Sequence, residues 1–323
     1  MIRNNWTLNQ ALAIYNQPFP ELIYDAQTIH REHFSPNEIQ RSTLLSIKTG
    51  GCPENCKYCP QSAHYDTDVQ RQKLLDKDTV VKEAKEAQAC GSTRFCMGAA
   101  WREIRNGAEF DQVIELVKEV HGLGLEVCCT LGMLTEEQAI RLKEAGCHAY
   151  NHNLDTSPDY YNKIITTRTY EDRLNTIKNV RKAGITVCCG GIVGLGEGVN
   201  ERLGLLVELA NQDPQPESVP INLLVKVKGT PLDGQKDVDP IEFVRVIATA
   251  RIMMPKSYVR LSAGRKEMSD EMQALCFISG ANSIFAGEKL LTTPNPGEDH
   301  DHALVKKLGI TFKSSQQEAC KNE

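Results

Sequence analysis

Short apolar runs alternate with amphipathic segments along most of the chain. From residue 41 onward, runs rich in β-branched and other apolar residues are separated by segments in which apolar residues recur every three or four positions. The runs predict eight strands, at residues 43–48, 92–97, 126–131, 148–154, 186–192, 219–225, 257–262 and 282–286. The amphipathic segments predict helices at residues 79–90, 110–123, 135–145, 170–183, 200–212, 240–254 and 269–277.

The order of these elements is that of repeated strand-helix units. Several predicted helices end at a glycine, as expected where a helix stops in a left-handed residue, at Gly91, Gly124, Gly146 and Gly184. No linker between the units is long enough to divide the chain into domains. The pattern favours one closed (β/α)8 barrel of the TIM type, although alternation alone leaves open a doubly wound open sheet, in which the first and last strands do not pair.

The two ends of the chain differ from the barrel pattern. Residues 1–40 are predicted to form an N-terminal helical extension, because apolar residues have helical spacing at residues 6–16 and Pro18 and Pro20 then stop that helix. The barrel is predicted to span residues 41–296. Residues 297–323 are polar and lack a strong periodic pattern, so we expect a short C-terminal tail.

The composition restricts the class of protein. The chain of 323 residues is 41% hydrophobic and 24% charged, which is typical of a globular protein. Its formal net charge of -5 argues against nucleic acid as a partner, because binding to phosphate backbones requires concentrated Lys and Arg. No apolar stretch approaches the roughly 20 residues that cross a bilayer, and the N-terminus has no basic segment followed by an apolar run. We therefore expect a cytoplasmic protein that does not act at a membrane.

Three of the twelve cysteines lie close together in a loop after the first predicted strand. Cys52, Cys56 and Cys59 have the spacing C-x-x-x-C-x-x-C and follow two glycines. Three thiolates at this spacing can converge on one inorganic centre, and a cubane with three protein ligands keeps one iron open for a small molecule. A zinc loop with His64 as the fourth ligand is the alternative, although the spacing is not that of the usual zinc pairs.

The cysteine loop, with Tyr58 before its last cysteine, resembles that of the radical S-adenosylmethionine enzymes. The resemblance implies a 4Fe-4S cluster on Cys52, Cys56 and Cys59 whose open iron binds S-adenosylmethionine. One electron then cleaves this molecule to methionine and a 5′-deoxyadenosyl radical, which abstracts hydrogen, and Tyr58 lies beside the adenine. The Gly-Gly-Glu element of many members is absent here, so we expect backbone groups at residues 98–100 to contact the methionine amino group.

A second set of cysteines lies on separate predicted strands. Cys96, Cys128 and Cys188 fall on the second, third and fifth strands, and alternate side chains of a barrel strand point inward, so the three could meet inside the barrel. The alternative is that each is a small buried hydrophobic residue. Cys128–Cys129 and Cys188–Cys189 are doublets in which only one cysteine can face inward, and the residues alone do not choose between them.

Several longer segments resemble the biotin synthase family. They lie at residues 52–62, 95–101, 150–157, 190–197, 222–232, 258–265 and 290–296. The resemblance implies that Cys96, Cys128, Cys188 and Arg260 hold a 2Fe-2S cluster, and that the second cysteine of each doublet packs between strands and helices. Arginine is an unusual iron ligand because its guanidinium is normally protonated, and by itself Arg260 suggests a salt bridge or a carboxylate clamp.

The resemblance also implies a reaction. Members of this family insert sulfur between two saturated carbons of dethiobiotin to form biotin, through two hydrogen abstractions that each consume one S-adenosylmethionine, and the 2Fe-2S cluster supplies the sulfur. A flavodoxin or ferredoxin electron donor and a homodimeric assembly are implied as well. The alternative is another radical S-adenosylmethionine barrel enzyme that acts on a different small-molecule precursor, which would keep the cysteine loop without needing the second ligand set.

Contacts to S-adenosylmethionine and to the substrate follow from the same resemblance. Asn153 and Asp155 come at the end of the fourth predicted strand, where barrel enzymes place active-site groups. The implied contacts are Asn153 with the ribose and the ureido ring of dethiobiotin, Asp155 with the ribose, Arg173 with the methionine carboxylate, Ile192 with the adenine, Asn222 with the ureido ring, and the backbone of Thr292 and Thr293 with the substrate carboxylate. Taken singly, the Asn and Asp residues suggest turns or caps, and Arg173 suggests a surface charge.

Overall fold

The computed structural model describes residues 2–313 and contains a barrel of parallel strands surrounded by helices. The strands are β1 (Glu38–Lys48), β2 (Arg94–Ala99), β3 (Glu126–Thr130), β4 (Cys147–Asn151), β5 (Thr186–Cys188), β6 (Gly191–Val193), β7 (Ser218–Leu223), β8 (Tyr258–Leu261), β9 (Ser283–Ala286), β10 (Lys289–Leu290), β11 (Thr293–Pro294) and β12 (Thr311–Phe312). The helices are α1 (Leu8–Tyr15), α2 (Phe19–His33), α3 (Lys77–Ala89), α4 (Ala108–Gly122), α5 (Glu136–Glu144), α6 (Pro158–Ile164), α7 (Tyr170–Lys182), α8 (Val199–Ala210), α9 (Pro240–Met253), α10 (Asp270–Ile278) and α11 (Glu298–Leu308).

The barrel closes because β1 pairs with β2 on one side and with β9 on the other, both in parallel. The other neighbours follow chain order, from β2 through β5, β7 and β8 to β9. Strand β6 follows β5 and also pairs with β7. The predicted (β/α)8 barrel of the TIM type is therefore confirmed, and the doubly wound open sheet is excluded.

The fifth barrel strand is interrupted at Gly190. The sequence predicts one strand over residues 186–192, whereas the structure has β5 and β6 with Cys189 and Gly190 between them. A Cβ atom on Gly190 would lie 1.9 Å from the carbonyl oxygen of Pro220 on β7, so only glycine permits this close approach. The carbonyl oxygen of Gly190 accepts a hydrogen bond of 3.0 Å from the backbone N–H of Leu154, which ties the interruption to the chain after β4.

Two helices precede the barrel. Helix α1 confirms the helix predicted at residues 6–16, and it begins with a capping box at Thr7. Helix α2 is not predicted by the pattern, because Pro18 and Pro20 suggest that the helical segment ends. Pro20 instead lies in the first turn of α2, where a helix does not need the N–H group that proline lacks. Buried residues of α2 pack against α9, so the N-terminal extension covers part of the helical layer.

The helices around the barrel match the predicted ones. The seven predicted segments overlap α3, α4, α5, α7, α8, α9 and α10. Helix α6 is a further short helix, and Pro158 again lies in its first turn. In the part of the chain that the structure describes, no helix has the length and apolarity that crossing a bilayer requires.

The chain after the barrel forms regular elements despite its polarity. Helix α11 packs on the barrel through ion pairs of Arg41 with Glu298 and of Arg265 with Asp301, and β12 pairs in parallel with the start of β1. The charged residues of α11 form ion pairs with residues of the barrel. Because polar contacts hold this helix, the spacing of apolar residues does not indicate it. Residues 314–323 of the predicted tail lie outside the described residues, and the division of the chain at residues 40 and 296 stays a prediction.

Candidate functional site

A cavity of about 300 Å³ opens at the carboxyl ends of the barrel strands. Its walls combine the loop after β1, the ends of the barrel strands and the two-stranded ribbon of β10 and β11. The predicted site residues that line it are Cys52, Cys56, Tyr58, Cys59, Cys96, Cys128, Asn153, Asp155, Arg173, Cys188, Ile192, Asn222, Thr292 and Thr293. Residues 98–100 line it too. The structure thus brings the two cysteine sets and the predicted ligand contacts to one cavity.

The loop with the first cysteine set folds back on itself. The backbone N–H of Cys59 donates to the carbonyl oxygen of Cys56 at 2.9 Å, and that of Cys52 donates to the carbonyl oxygen of Gln61 at 2.9 Å. Gly50 has a φ of +71°, a left-handed conformation that lets the chain turn sharply away from β1. These turns place the three thiols at one side of the cavity.

Burial raises the pKa of these three thiols. Burial, and next the neighbouring Cys56, raise the pKa of Cys59 to about 12. Burial raises the pKa of Cys56 to about 11, and it also raises the pKa of Cys52. The free thiols are therefore protonated at neutral pH, and a bound metal must release their protons. Three neighbouring thiols that stay uncharged until they bind iron fit a 4Fe-4S cluster with three protein ligands.

His64 contacts the backbone of the loop rather than its thiols. Its Nε2 lies 3.0 Å from the carbonyl oxygen of Pro53, and the residue is exposed. This contact gives no support to the zinc loop in which His64 is the fourth ligand. Within residues 2–313, no three His, Cys, Asp or Glu side chains are grouped as ligands of a single metal ion.

We expect the metal-free protein to lose stability as the pH rises from about 9 to about 12. The pKa values of Cys56 and Cys59 lie above the ordinary value of 9.0. The folded chain therefore keeps protons that the unfolded chain has released, and the free energy of unfolding falls as the pH rises. Urea unfolding under reducing, metal-free conditions measures this fall. In a Cys56→Ser, Cys59→Ser double variant the free energy of unfolding should fall less. An equal fall in both proteins would show that these two thiols do not cause it.

Cys96 and Cys128 lie side by side inside the barrel. They are paired in the register of β2 and β3, and both belong to a small apolar cluster in the barrel interior. Cys129 and Cys189 belong instead to the outer core, between strands and helices. Cys188 lines the same cavity as the inner pair. The first cysteine of each doublet thus faces inward and the second faces outward, while the ligand role of the inner three stays a prediction.

The inner thiols have unsatisfied polar groups near them. A hydrogen bond with Cys96, and next burial, raise the pKa of Cys128 well above its ordinary value. Ser218 is paired with Cys188 in the register of β5 and β7, and its hydroxyl is buried with no hydrogen-bond partner among the described residues. The same is true of the hydroxyl of Ser42 on β1. Three inward thiols together with buried, unpartnered hydroxyls fit a bound inorganic group such as a 2Fe-2S cluster.

Arg260 lies on β8, fully buried beneath the cavity rather than on its wall. Its Nη1 is 3.9 Å from the Sγ of Cys188. Its Nε donates to the hydroxyl of Ser283 at 2.8 Å, and its Nη2 donates to the Oε1 of Gln40 at 3.1 Å. All three contacts are with uncharged side chains, so they give no support to a carboxylate clamp. Arg260 therefore lies beside Cys188 of the inner set, and its role as a ligand stays a prediction.

Arg173 of α7 is buried at the cavity wall, so the reading of it as a surface charge is wrong. Its guanidinium pairs with the carboxylate of Asp155, and its Nη1 donates to the carbonyl oxygen of Asn153 at 2.7 Å. Its Nε donates to the hydroxyl of Tyr161 at 3.1 Å. Asp155 has a φ of +68°, a left-handed conformation that its short polar side chain tolerates. Asn153, Asp155 and Arg173, three of the five predicted contacts with S-adenosylmethionine, therefore form one connected polar group.

Replacing Asp155 by alanine should destabilise the metal-free protein by about 3–5 kcal/mol, because Arg173 would keep a buried charge without its partner. Asp155→Asn keeps a hydrogen-bond acceptor and should cost less. The free energy of unfolding in urea compares the two variants with the parent chain in the absence of any ligand. Equal stability of all three proteins would show that the ion pair contributes nothing to the fold.

The remaining predicted contacts are held by the backbone. The Nδ2 of Asn222 donates to the carbonyl oxygen of Gly191 at 2.9 Å, and its Oδ1 accepts from the backbone N–H of Ala263 at 3.0 Å. Thr292 and Thr293 lie in the ribbon of β10 and β11, whose residues line the cavity. The amide of Asn222 is therefore fixed in orientation before any ligand binds.

Asn151 and His152 are among the cavity residues that the sequence did not indicate. Asn151 ends β4, and its Nδ2 lies 3.3 Å from the Sγ of Cys188 and 3.2 Å from the Oδ1 of Asn153. Its spacing of two from Asn153 could have indicated a shared face. If the strand predicted at residues 148–154 were continuous, His152 would face away from Asn153. Both residues line the cavity, because β4 ends at Asn151 and the alternation of a strand does not continue beyond it. The Nε2 of His152 is buried with no hydrogen-bond partner in the described chain.

Two family models match the chain. Residues 46–209 match the Radical SAM superfamily, and residues 220–311 match the Biotin and Thiamin Synthesis associated domain. The chain is 62% identical to the biotin synthase of Alteromonas mediterranea, over 96% of this chain and 82% of that protein. It is 60% identical to the biotin synthase of Marinobacter nauticus, over 99% of this chain and 90% of that protein.

Solved structures resemble the barrel at lower identity. Methylornithine synthase superposes with a TM-score of 0.81 at 16% identity, covering 97% of this chain and 96% of that one. The FeFe-hydrogenase maturase from Carboxydothermus hydrogenoformans superposes with a TM-score of 0.80 at 18% identity, covering 96% of this chain and 76% of that one. At these identities the likeness shows the fold alone.

Proposed function

The chain belongs to the biotin synthase family of radical S-adenosylmethionine enzymes, and from this we propose how its cavity converts dethiobiotin to biotin. The enzyme is a sulfurtransferase that uses a 4Fe-4S cluster, a 2Fe-2S cluster and S-adenosylmethionine. When bound, these groups supply the electron, the hydrogen-abstracting group and the sulfur atom that insertion into saturated carbon requires. The residues of the chain bind and orient these groups and the substrate.

One observation carries the proposal. The cysteine loop after β1 and the inward cysteines of β2, β3 and β5 line a single cavity, with a polar group of side chains between the strand ends. A radical site alone would need only the loop. We assign the 4Fe-4S cluster to Cys52, Cys56 and Cys59, and the 2Fe-2S cluster to the inner set of Cys96, Cys128, Cys188 and Arg260.

The connected polar group suits S-adenosylmethionine. The molecule has a carboxylate, a ribose and an adenine, and the chain offers a guanidinium at Arg173, a carboxylate at Asp155 and apolar surface at Tyr58 and Ile192. Asp155 forms an ion pair with Arg173, so the guanidinium is already fixed at the cavity wall before S-adenosylmethionine binds. Preorganised groups of this kind lower the entropic cost of fixing a flexible ligand.

The cavity between the cysteine sets suits dethiobiotin. Asn153 and Asn222 present amides, which can both donate to and accept from a ureido ring. The backbone of Thr292 and Thr293 receives the carboxylate at the other end of the substrate. Phe285 and Leu290 give the inner cavity an apolar wall, which excludes water from the saturated carbons that react.

Three further properties belong to the proposal. The reaction needs electrons delivered one at a time, which flavodoxins and ferredoxins do, and the exposed Lys57 lies between Cys56 and Cys59, where the cysteine loop reaches solvent. We propose one of these carriers as the donor, a homodimer as the assembly, and the cytoplasm as the location. Sedimentation of the reconstituted protein tests the dimer directly.

Anaerobic turnover tests the proposed function. Protein reconstituted with iron and sulfide is incubated with dethiobiotin, S-adenosylmethionine and a chemical reductant, and products are separated by chromatography. We expect both biotin and 5′-deoxyadenosine. 5′-Deoxyadenosine without biotin would support the alternative, a radical enzyme that acts on a different precursor. Absence of both products from cluster-loaded protein would contradict the proposal.

A further inference from the structure

Gln40 lies on β1 beneath the cavity and is buried, although no predicted role explains a buried amide at this position. Its Oε1 accepts two hydrogen bonds, from the Nη2 of Arg260 and from the hydroxyl of Ser283, both at 3.1 Å. Ser283 in turn accepts from the Nε of Arg260 at 2.8 Å. Gln40, Ser283 and Arg260 therefore form a closed triangle of hydrogen bonds that joins β1, β8 and β9.

The triangle leaves one nitrogen of the guanidinium for other contacts. Nε and Nη2 are engaged by Ser283 and Gln40, whereas Nη1 points to Cys188, whose Sγ is 3.9 Å away. The ring of Phe285 lies 4.6 Å from the guanidinium carbon and limits movement out of the plane. Because a guanidinium is planar, fixing two of its nitrogens also fixes the direction of the third.

We infer that Gln40 is a positioning residue that directs the Nη1 of Arg260 toward the inner cysteines, and this rests on the proposed 2Fe-2S site. Loss of the Gln40 acceptor frees Nη2 and lets the side chain rotate about its remaining bond to Ser283. The cluster would then lose its contact with Arg260, and only the three thiolates would remain to hold it. Groups that orient metal ligands commonly change metal affinity by roughly 10-fold to 100-fold when removed.

Two substitutions of similar size separate orientation from packing. Gln40→Met removes the oxygen acceptor but keeps the length of the side chain, whereas Gln40→Glu keeps an oxygen acceptor for Nη2. Thr43→Val, three residues along β1 and on its other face, removes a hydroxyl that lies 2.7 Å from the hydroxyl of Ser92, and so controls for the loss of a polar contact on this strand.

The readouts are the visible and electron paramagnetic resonance spectra of the 2Fe-2S cluster, its midpoint potential, and its rate of loss to a chelator. We expect Gln40→Met to shift the spectra and potential to those of Arg260→Met, and to speed cluster loss by roughly 10-fold or more. Gln40→Glu should keep the spectra and the rate of cluster loss close to those of the parent protein, and Thr43→Val should leave all three readouts unchanged. The 4Fe-4S spectrum should be unchanged in all variants, which also shows that each has folded.

A double variant decides whether Gln40 acts through Arg260. If it does, Gln40→Met should add no change in the Arg260→Met background, because the group that it orients is already absent. Equal shifts in both backgrounds, or none in either, would overturn the inference. Absence of any 2Fe-2S cluster from the parent protein would instead contradict the proposed function, so the two failures are distinguishable.

Discussion

Cys128→Ala should reduce biotin formation to below detection while the absorbance of the 4Fe-4S cluster remains. Cys128 lies inside the barrel, paired with Cys96 in the strand register, and it is remote in sequence from the loop that holds the first set. Removing its thiol takes one ligand from the inner site without altering the loop. Biotin is measured after anaerobic turnover, and both clusters are measured by their spectra and by iron and sulfide content.

The chain supplies a matched control for this prediction. Cys129 is adjacent to Cys128 but belongs to the outer core between strands and helices. Cys129→Ala removes the same group from the other face of β3 and should retain biotin formation. Equal loss in both variants, or loss of both clusters in Cys128→Ala, would show general damage to β3 rather than loss of a ligand.

Cys56→Ala should abolish the release of 5′-deoxyadenosine. A cubane on this loop has three protein ligands and one open iron. Removal of one ligand leaves two thiols, which cannot hold the cluster in that form. Without it, no electron reaches S-adenosylmethionine, so biotin is lost as well. Chromatography of reduced, anaerobic reaction mixtures measures 5′-deoxyadenosine directly.

Cys276→Ala is the control for the loop variant. Cys276 is also buried, but it lies on α10 in the outer core. It should retain release of 5′-deoxyadenosine, with at most the modest loss of stability that follows from a small cavity. Persistent release of 5′-deoxyadenosine by Cys56→Ala would show that Cys56 is not a ligand.

The sequence predicted the barrel because each strand and most helices leave a local periodic pattern. It did not predict α2 or α11. Pro20 suggests the end of a helix unless it is known to lie in the first turn of the next one. Helix α11 is held by ion pairs such as that of Arg265 with Asp301, and such contacts produce no periodic pattern of apolar residues. The interruption at Gly190 depends on the carbonyl of Pro220, on another strand. Local patterns do not contain such tertiary contacts.

The candidate site shows the same limit. Residues alone could not choose between Cys128 and Cys129, because strand register decides which of them faces inward. Arg173 reads as a surface charge until its pairing with Asp155 is seen, and Gln40 lies 220 residues before the arginine that it contacts. Family resemblance correctly indicated the inward face of each doublet, but the contacts that orient Arg173 and Arg260 required the structure.

The central claim is that the inner site supplies the sulfur of biotin, and a single anaerobic turnover tests it most directly. Reconstituted protein is mixed with dethiobiotin, S-adenosylmethionine and reductant, with no iron or sulfide in solution, and biotin and the 2Fe-2S absorbance are followed together. We predict that the absorbance of the 2Fe-2S cluster falls in proportion to the biotin formed. Biotin formed while that absorbance stays constant would contradict the account.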